Sequence, residues 1–148
     1  MTRSARVIMT AVVSVVLLLT GCSGQFRARF ETSGGPLDTA GAEQLARTTD
    51  ISALSRVKAD DAPALRDKVL SDLRTHGAKG ELAATLLTTG FPVPTRSVPV
   101  LVRYSKVDDR DAVIVVEAFG DAGGRLTHRR LWVFDADTGA IIAAASFR

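Results

Sequence analysis

The chain has 148 residues, with 19 basic against 16 acidic side chains, two histidines and one cysteine. That length supplies one core and one domain. Near-balanced charge argues against a nucleic-acid partner, and a single thiol leaves nothing for an internal disulfide. Arginine outnumbers lysine by 15 to 4, a usage associated with high-GC genomes such as those of actinobacteria.

Arg3 and Arg6 precede residues 7–19 (VIMTAVVSVVLLL), an apolar run of thirteen relieved only by Thr10 and Ser14. As a helix this run spans about 20 Å, against about 30 Å of bilayer hydrocarbon. It is the length of a signal-peptide core and short for a permanent span. Leu19-Thr20-Gly21-Cys22 closes the run and resembles the lipobox of bacterial lipoproteins. The resemblance implies that the Cys22 thiol receives a diacylglyceryl group and that the bond between Gly21 and Cys22 is cut. Cys22 then becomes the first residue of a 127-residue mature chain on the extracytoplasmic face of the cell membrane. Two acyl chains anchor a protein stably where one does not. The alternative is an uncleaved signal anchor carrying an incidental cysteine. Loss of Arg3 and Arg6 leaves 17 basic residues against 16 acidic ones.

Residues 22–37 are expected to be the lipidated cysteine and a flexible tether, broken by Gly34-Gly35-Pro36. Fifteen residues of coil span about 20 Å. Phe26, Arg27, Arg29 and Phe30 interrupt this stretch. Either they settle on an anionic leaflet or the two phenylalanines begin to pack on the domain. The single folded domain is expected over 38–148. Its first helical segment, 39–58, is weak and has a break at Thr48-Thr49-Asp50. The next is signalled by a cap at Asp60 or Asp61, by Pro63 in the first turn and by the stripe Leu65, Val69, Leu70, Leu73, and Gly77 stops it. A shorter helix, 81–89, turns Leu82, Leu86 and Leu87 inward and closes at Gly90 and Pro92.

From Ser97 the period changes. Residues 98–107, 112–119, 126–134 and 140–147 are β-branched and aromatic runs separated by acidic and glycine-rich turns. Short connections make antiparallel neighbours, because parallel ones need long crossovers. The expected fold is α+β, with two or three N-terminal helices packed on one face of a four-stranded antiparallel meander. Ala143, Ala144 and Ala145 leave room for a helix to approach the last strand.

Asp135-Ala-Asp-Thr-Gly139 begins like a calcium loop, but its glycine falls one place early and its twelfth position is Ser146. A hairpin turn with Gly139 at positive φ is the better reading. The acids of Asp108-Asp109-Arg110-Asp111 suit a solvated turn. His76 is placed to satisfy the carbonyls that end a helix, and His128 lies in a strand. Arg129 and Arg130 alternate to opposite faces of the sheet. No metal ligand set, no G-x-S-x-G elbow and no other nucleophile with a base is readable, so neither catalytic residues nor a cofactor beyond the lipid on Cys22 are expected. Glu117 breaks the apolar run 112–119. It is expected to form a cross-strand charge pair with His128 or Arg129. The other reading is a binding face of Glu117, Trp132 and Tyr104, with Phe119 and Phe134 alongside, against core packing of the same aromatics.

These features describe an exported, membrane-anchored module whose partners are the bilayer and an envelope protein. Carriage of a small apolar ligand between helices and sheet is a second possibility. Residues 60–148 also resemble the outer-membrane assembly lipoproteins of the BamE and SmpA/OmlA type, in their order of two helices and then an antiparallel sheet and in the helix end Gly90-Phe91-Pro92. This chain adds a fourth strand to that pattern.

Overall fold

The structure is a computed structural model that describes residues 25–91 and 95–148. The apolar run, Gly21, Cys22 and Pro92 lie outside the described residues. The elements are β1 (Arg29–Glu31), α1 (Thr39–Thr48), α2 (Ala62–Arg74), α3 (Gly77–Thr89), β2 (Ser97–Val107), β3 (Arg110–Phe119), β4 (His128–Asp135) and β5 (Ile141–Phe147). The α+β class is as expected. The sheet is not the expected four-stranded antiparallel meander: it has five strands in the order β1-β2-β3-β4-β5, with β1 parallel to β2 and the other pairs antiparallel.

The added strand comes from the stretch expected to be tether. Arg29–Glu31 pairs with Leu101–Arg103 of β2, Ala28 is buried, and Phe26 and Phe30 pack against the core. The parallel pairing is possible because three helices separate the two strands and supply the long crossover. Leu37 continues the contact, donating to Lys106 O at 2.8 Å and accepting from Asp108 N at 3.0 Å. Residues 25–37 are therefore held against the sheet through β1, Gly34 and Leu37.

Helices cover both faces of the sheet, not one. Tyr104, Val113 and Phe134 stand in register, as do Val102, Val115 and Trp132, and Glu117 lies on the same face. This face meets α2 and α3: Tyr104 donates to Lys79 O at 2.7 Å and Phe91 packs on Trp132 at 4.8 Å. The opposite face meets α1, where Arg129 Nε donates to Thr49 O at 2.8 Å and the Arg47 guanidinium lies 4.1 Å from the Phe147 ring centroid. Central β3 is accordingly buried without a break from Ala112 to Phe119. The core runs through both layers, with Leu54, Leu126 and Leu131 among its largest fully buried side chains together with Leu73, Leu87 and Phe134.

Local chemistry sets the boundaries of the elements. Asp38 caps α1, its Oδ1 accepting from Gly41 N at 2.7 Å, and the helix ends at the expected threonines, where Thr49 N donates to Leu45 O. Neither Asp60 nor Asp61 caps α2 with its side chain, because a 3-10 turn at Ala59–Asp61 runs straight into the helix. Gly77, at φ +75°, ends α2 and at the same time begins α3, which starts four residues before the expected position. Gly80 is why: a β-carbon there would lie 2.0 Å from Leu73 O, so the missing side chain lets the first turn of α3 rest on the end of α2. Asp108 and Asp109, at φ 47° and 65°, form a two-residue hairpin turn between β2 and β3. β5 is the other edge strand; it carries no charged residue, and Ile141 at its start is 48% exposed. Among the described residues no helix is long and apolar enough to cross a membrane.

Candidate functional site

Glu117 is 1% exposed and its expected cross-strand partners do not hold it. In register it stands opposite Arg130, whose guanidinium lies instead 4.3 Å from the Phe119 ring centroid, while Arg129 projects from the other face. The carboxylate pairs with Arg66 of α2, which is 6% exposed: Arg66 Nη1 donates to Glu117 Oε1. Trp132 Nε1 donates to Oε2 at 2.9 Å. Arg66 also donates to Ser97 O and Ser97 Oγ, each at 3.2 Å, and to Leu87 O at 3.2 Å. Its guanidinium lies 5.6 Å from the Phe91 ring centroid. One side chain thus joins α2, the end of α3, β2 and, through Glu117 and Trp132, β3 and β4.

Both carboxylate oxygens are committed to donors. No buried side-chain nitrogen or oxygen among the described residues lacks a partner. An ion pair so enclosed, with each carboxylate oxygen held by a donor, fixes the elements that carry it relative to one another. Of the three residues of the expected binding face, Glu117 and Trp132 are brought together inside this network, and Tyr104 is not. The face they share is covered by α2 and α3, so the Glu117 carboxylate is unavailable from solvent.

One groove borders the network, and another lies toward the β2–β3 hairpin. The first, of about 480 Å³, runs between α2 and the end of α3 above Arg66, bounded by Leu70, Arg74, Leu87, Phe91 and Thr95. Residues 92–94, beside Phe91 and Thr95, lie outside the described residues. The second, of about 610 Å³, lies between α3 and the β2–β3 hairpin and contains Tyr104, Lys79, Leu82 and Lys106. Burial pushes the Tyr104 phenol above its ordinary value of 10.0, so at neutral pH it stays a donor to the Lys79 carbonyl. The Lys79 ammonium donates to Thr32 O at 3.1 Å and lies 4.9 Å from the Tyr104 ring centroid. Lys106 is paired with Asp111 at 2.9 Å, which holds its ammonium above its ordinary value.

The remaining candidates are engaged with neighbours inside the fold. His76 does not cap the end of α2 with its ring, which is stacked on Phe30 at 4.9 Å with Nε2 3.7 Å from Asp72. His128 packs on Phe119 at 5.4 Å, at the other end of the sheet. Asp135 Oδ1 accepts from Asp137 N and Thr138 N, each at 2.9 Å, and Gly139 stands at φ 73°, so the 135–139 segment is the expected turn. Those two backbone donors hold the Asp135 carboxyl below its ordinary value of 3.8. Among the described residues no three histidine, cysteine or acidic side chains converge as a metal site. Cys22 lies outside the described residues.

No family model, curated protein or solved structure matches the chain.

Sequence reasoning did not single out Arg66, yet its position signals burial. Residues 66, 69, 70 and 73 fall on one helical stripe, and all four are buried, whereas Leu65 beside them is only half-buried. A charge inside such a stripe demands a buried counter-charge, and Glu117 is the acid that breaks an apolar strand.

Proposed function

We propose that the protein is an exported lipoprotein, anchored through acylated Cys22 on the extracytoplasmic face of the cell membrane, whose folded domain is a non-catalytic interaction module of the cell envelope. The observation that carries this reading is the N-terminal series of Arg3, Arg6, the apolar run 7–19 and Leu19-Thr20-Gly21-Cys22. Two features of the fold support it. The domain begins at Phe26, immediately after the proposed anchor, which is where a surface-held domain starts. Its buried polar groups are spent on one another, as suits a rigid scaffold more than a reaction centre.

The test compares wild type with Cys22→Ala at matched expression. Acyl mass on the N-terminal peptide, membrane fractionation and a partner crosslinked only to the anchored protein are the expected results. An unchanged membrane fraction for Cys22→Ala would remove the anchor, and crosslinking that recovers monomer alone would remove the interaction role. The groove beside Tyr104 favours a second reading, carriage of a small apolar ligand, with Leu82 and the Tyr104 ring in its wall. Native mass spectrometry of protein taken from membranes decides it: a bound molecule displaced by Leu82→Arg supports carriage, and an empty protein counts against it.

A further inference from the structure

The charges of the domain are sorted between the two ends of its sheet. At the end where β2 begins and β3 stops, the loop 120–127 folds onto residues 56–60. Ala59 N donates to Gly124 O at 2.9 Å, Arg125 Nη1 to Arg56 O at 3.0 Å, and Gly123 N to Asp60 Oδ2 at 3.2 Å. Arg56, Lys58, Arg96, Arg125 and Arg148 are all exposed there. Asp50, Asp60, Asp61 and Asp121 share that end, and two of them pair with these cations: Asp60 with Arg96 at 2.8 Å and Asp121 with Arg148 at 3.0 Å.

The opposite end carries the α1 cap and the β2–β3 and β4–β5 turns. Asp38, Asp108, Asp109, Asp111, Asp135 and Asp137 gather there against Lys106 and Arg110. β2 has eleven residues, so the two ends stand about 35 Å apart at about 3.3 Å per residue.

Topology decides which end the N-terminus approaches. β1 is parallel to β2, with Arg29 beside Leu101, so the chain enters the sheet from the cationic end. Phe26 is already packed on the core. From Cys22 to Phe26 the chain reaches at most about 14 Å, whatever its conformation, at about 3.6 Å per residue. An acyl chain on Cys22 therefore holds the domain against the leaflet. The field of an anionic leaflet decays within about 8–10 Å at ordinary ionic strength, so it acts on whichever end is turned down and leaves the far end in solution.

We infer that the cationic end, formed by Arg56, Lys58, Arg96, Arg125 and Arg148, is a membrane-docking surface. It seats the domain on the anionic phospholipid headgroups of the leaflet that holds its anchor and turns the acidic end outward. This inference rests on the acylation of Cys22. It adds an orientation and a lipid class that anchoring by itself does not require.

The experiment uses full-length acylated protein in vesicles of phosphatidylcholine, with or without phosphatidylglycerol, and a headgroup-linked quencher. A single fluorophore is placed through Ala122→Cys at the cationic end or Ala140→Cys at the acidic end; both sites are exposed. Quenching at 122 several-fold stronger than at 140 in anionic vesicles is expected. The difference is expected to collapse toward parity in neutral vesicles, in high salt and in Arg56→Glu/Arg125→Glu, which changes two exposed side chains and whose fold is checked by circular dichroism. Equal quenching at both positions in anionic vesicles, with acyl mass present on Cys22, overturns the docking surface and leaves the anchor intact. A Cys22 peptide without acyl mass removes the anchor reading, and the docking surface with it.

Discussion

Arg66 and Glu117 form a buried ion pair, and substitutions there are expected to be costly. Removing one partner of a buried ion pair strands the other and typically costs about 3–5 kcal/mol, whereas replacing both with apolar groups can be nearly neutral. Arg66→Met is expected to lower unfolding free energy by that amount in a denaturant titration. Arg66→Met/Glu117→Leu is expected to recover part of it, leaving the Trp132 N–H and the Leu87 carbonyl as the residual debt. Additive losses in that double-mutant cycle would refute the coupling. A smaller effect belongs to the β2–β3 turn, where Asp108 and Asp109 both occupy the left-handed region. Asp108 also accepts from Thr39 Oγ1 at 2.6 Å, so Asp109 is the one to change. Asp109→Gly relieves about 1 kcal/mol of strain, offset in part by the greater backbone freedom of glycine in the unfolded chain, and a small rise in Tm is the expected readout.

Acid sensitivity is also legible residue by residue. Asp60 is held below its ordinary value of 3.8, first by the Arg96 hydrogen bond and then by Gly123 N, and Asp135 by its two backbone donors. A lowered carboxyl contributes stability above its unfolded value and loses it as pH falls through its folded one. Unfolding free energy is therefore expected to decline as the pH falls below about 4, less steeply in Asp60→Asn than in wild type. The pairing of Glu117 was foreseen in kind and missed in identity. Strand register can be read from a hairpin, but a partner delivered by a helix fifty residues away cannot be read by counting across a turn.

At the scale of elements, the four long strands and the α2 stripe were legible because their periodicity is strong and their turns carry glycine or paired acids. The both-sided cover of the sheet was also written in the chain. Residues 112–119 do not alternate, and a strand with one wet face would. β1 was not legible, since three residues supply no period and lie beside a Gly-Gly-Pro break. The early start of α3 was hidden by its own glycines, which read as a stop although Gly80 is the contact that lets the two helices touch. Gly80→Ala drives a methyl into Leu73 O and is expected to cost several kcal/mol, an overpacking penalty at or above the usual range of about 1–3 kcal/mol. Gly35→Ala, which meets nothing within 4 Å, is the matched control. Equal Tm values for the two variants would dismiss the close approach.

For the whole molecule, the consequence of β1 lies in time. Residues 29–31 are made early, and their partners 101–103 follow only after three helices have been synthesised. Loop closure of that length has to be met before the pairing gives any return, while β2, β3 and β4 are joined by short turns and can assemble without it. Phe30→Ala is accordingly expected to speed unfolding while leaving refolding almost unchanged, the pattern of a contact absent from the transition state. A slowed refolding limb would place β1 in the nucleus instead. The first strand of the domain to be synthesised is thus expected to be the last one fastened, and the edge of the sheet that β1 completes is the place where the fold closes.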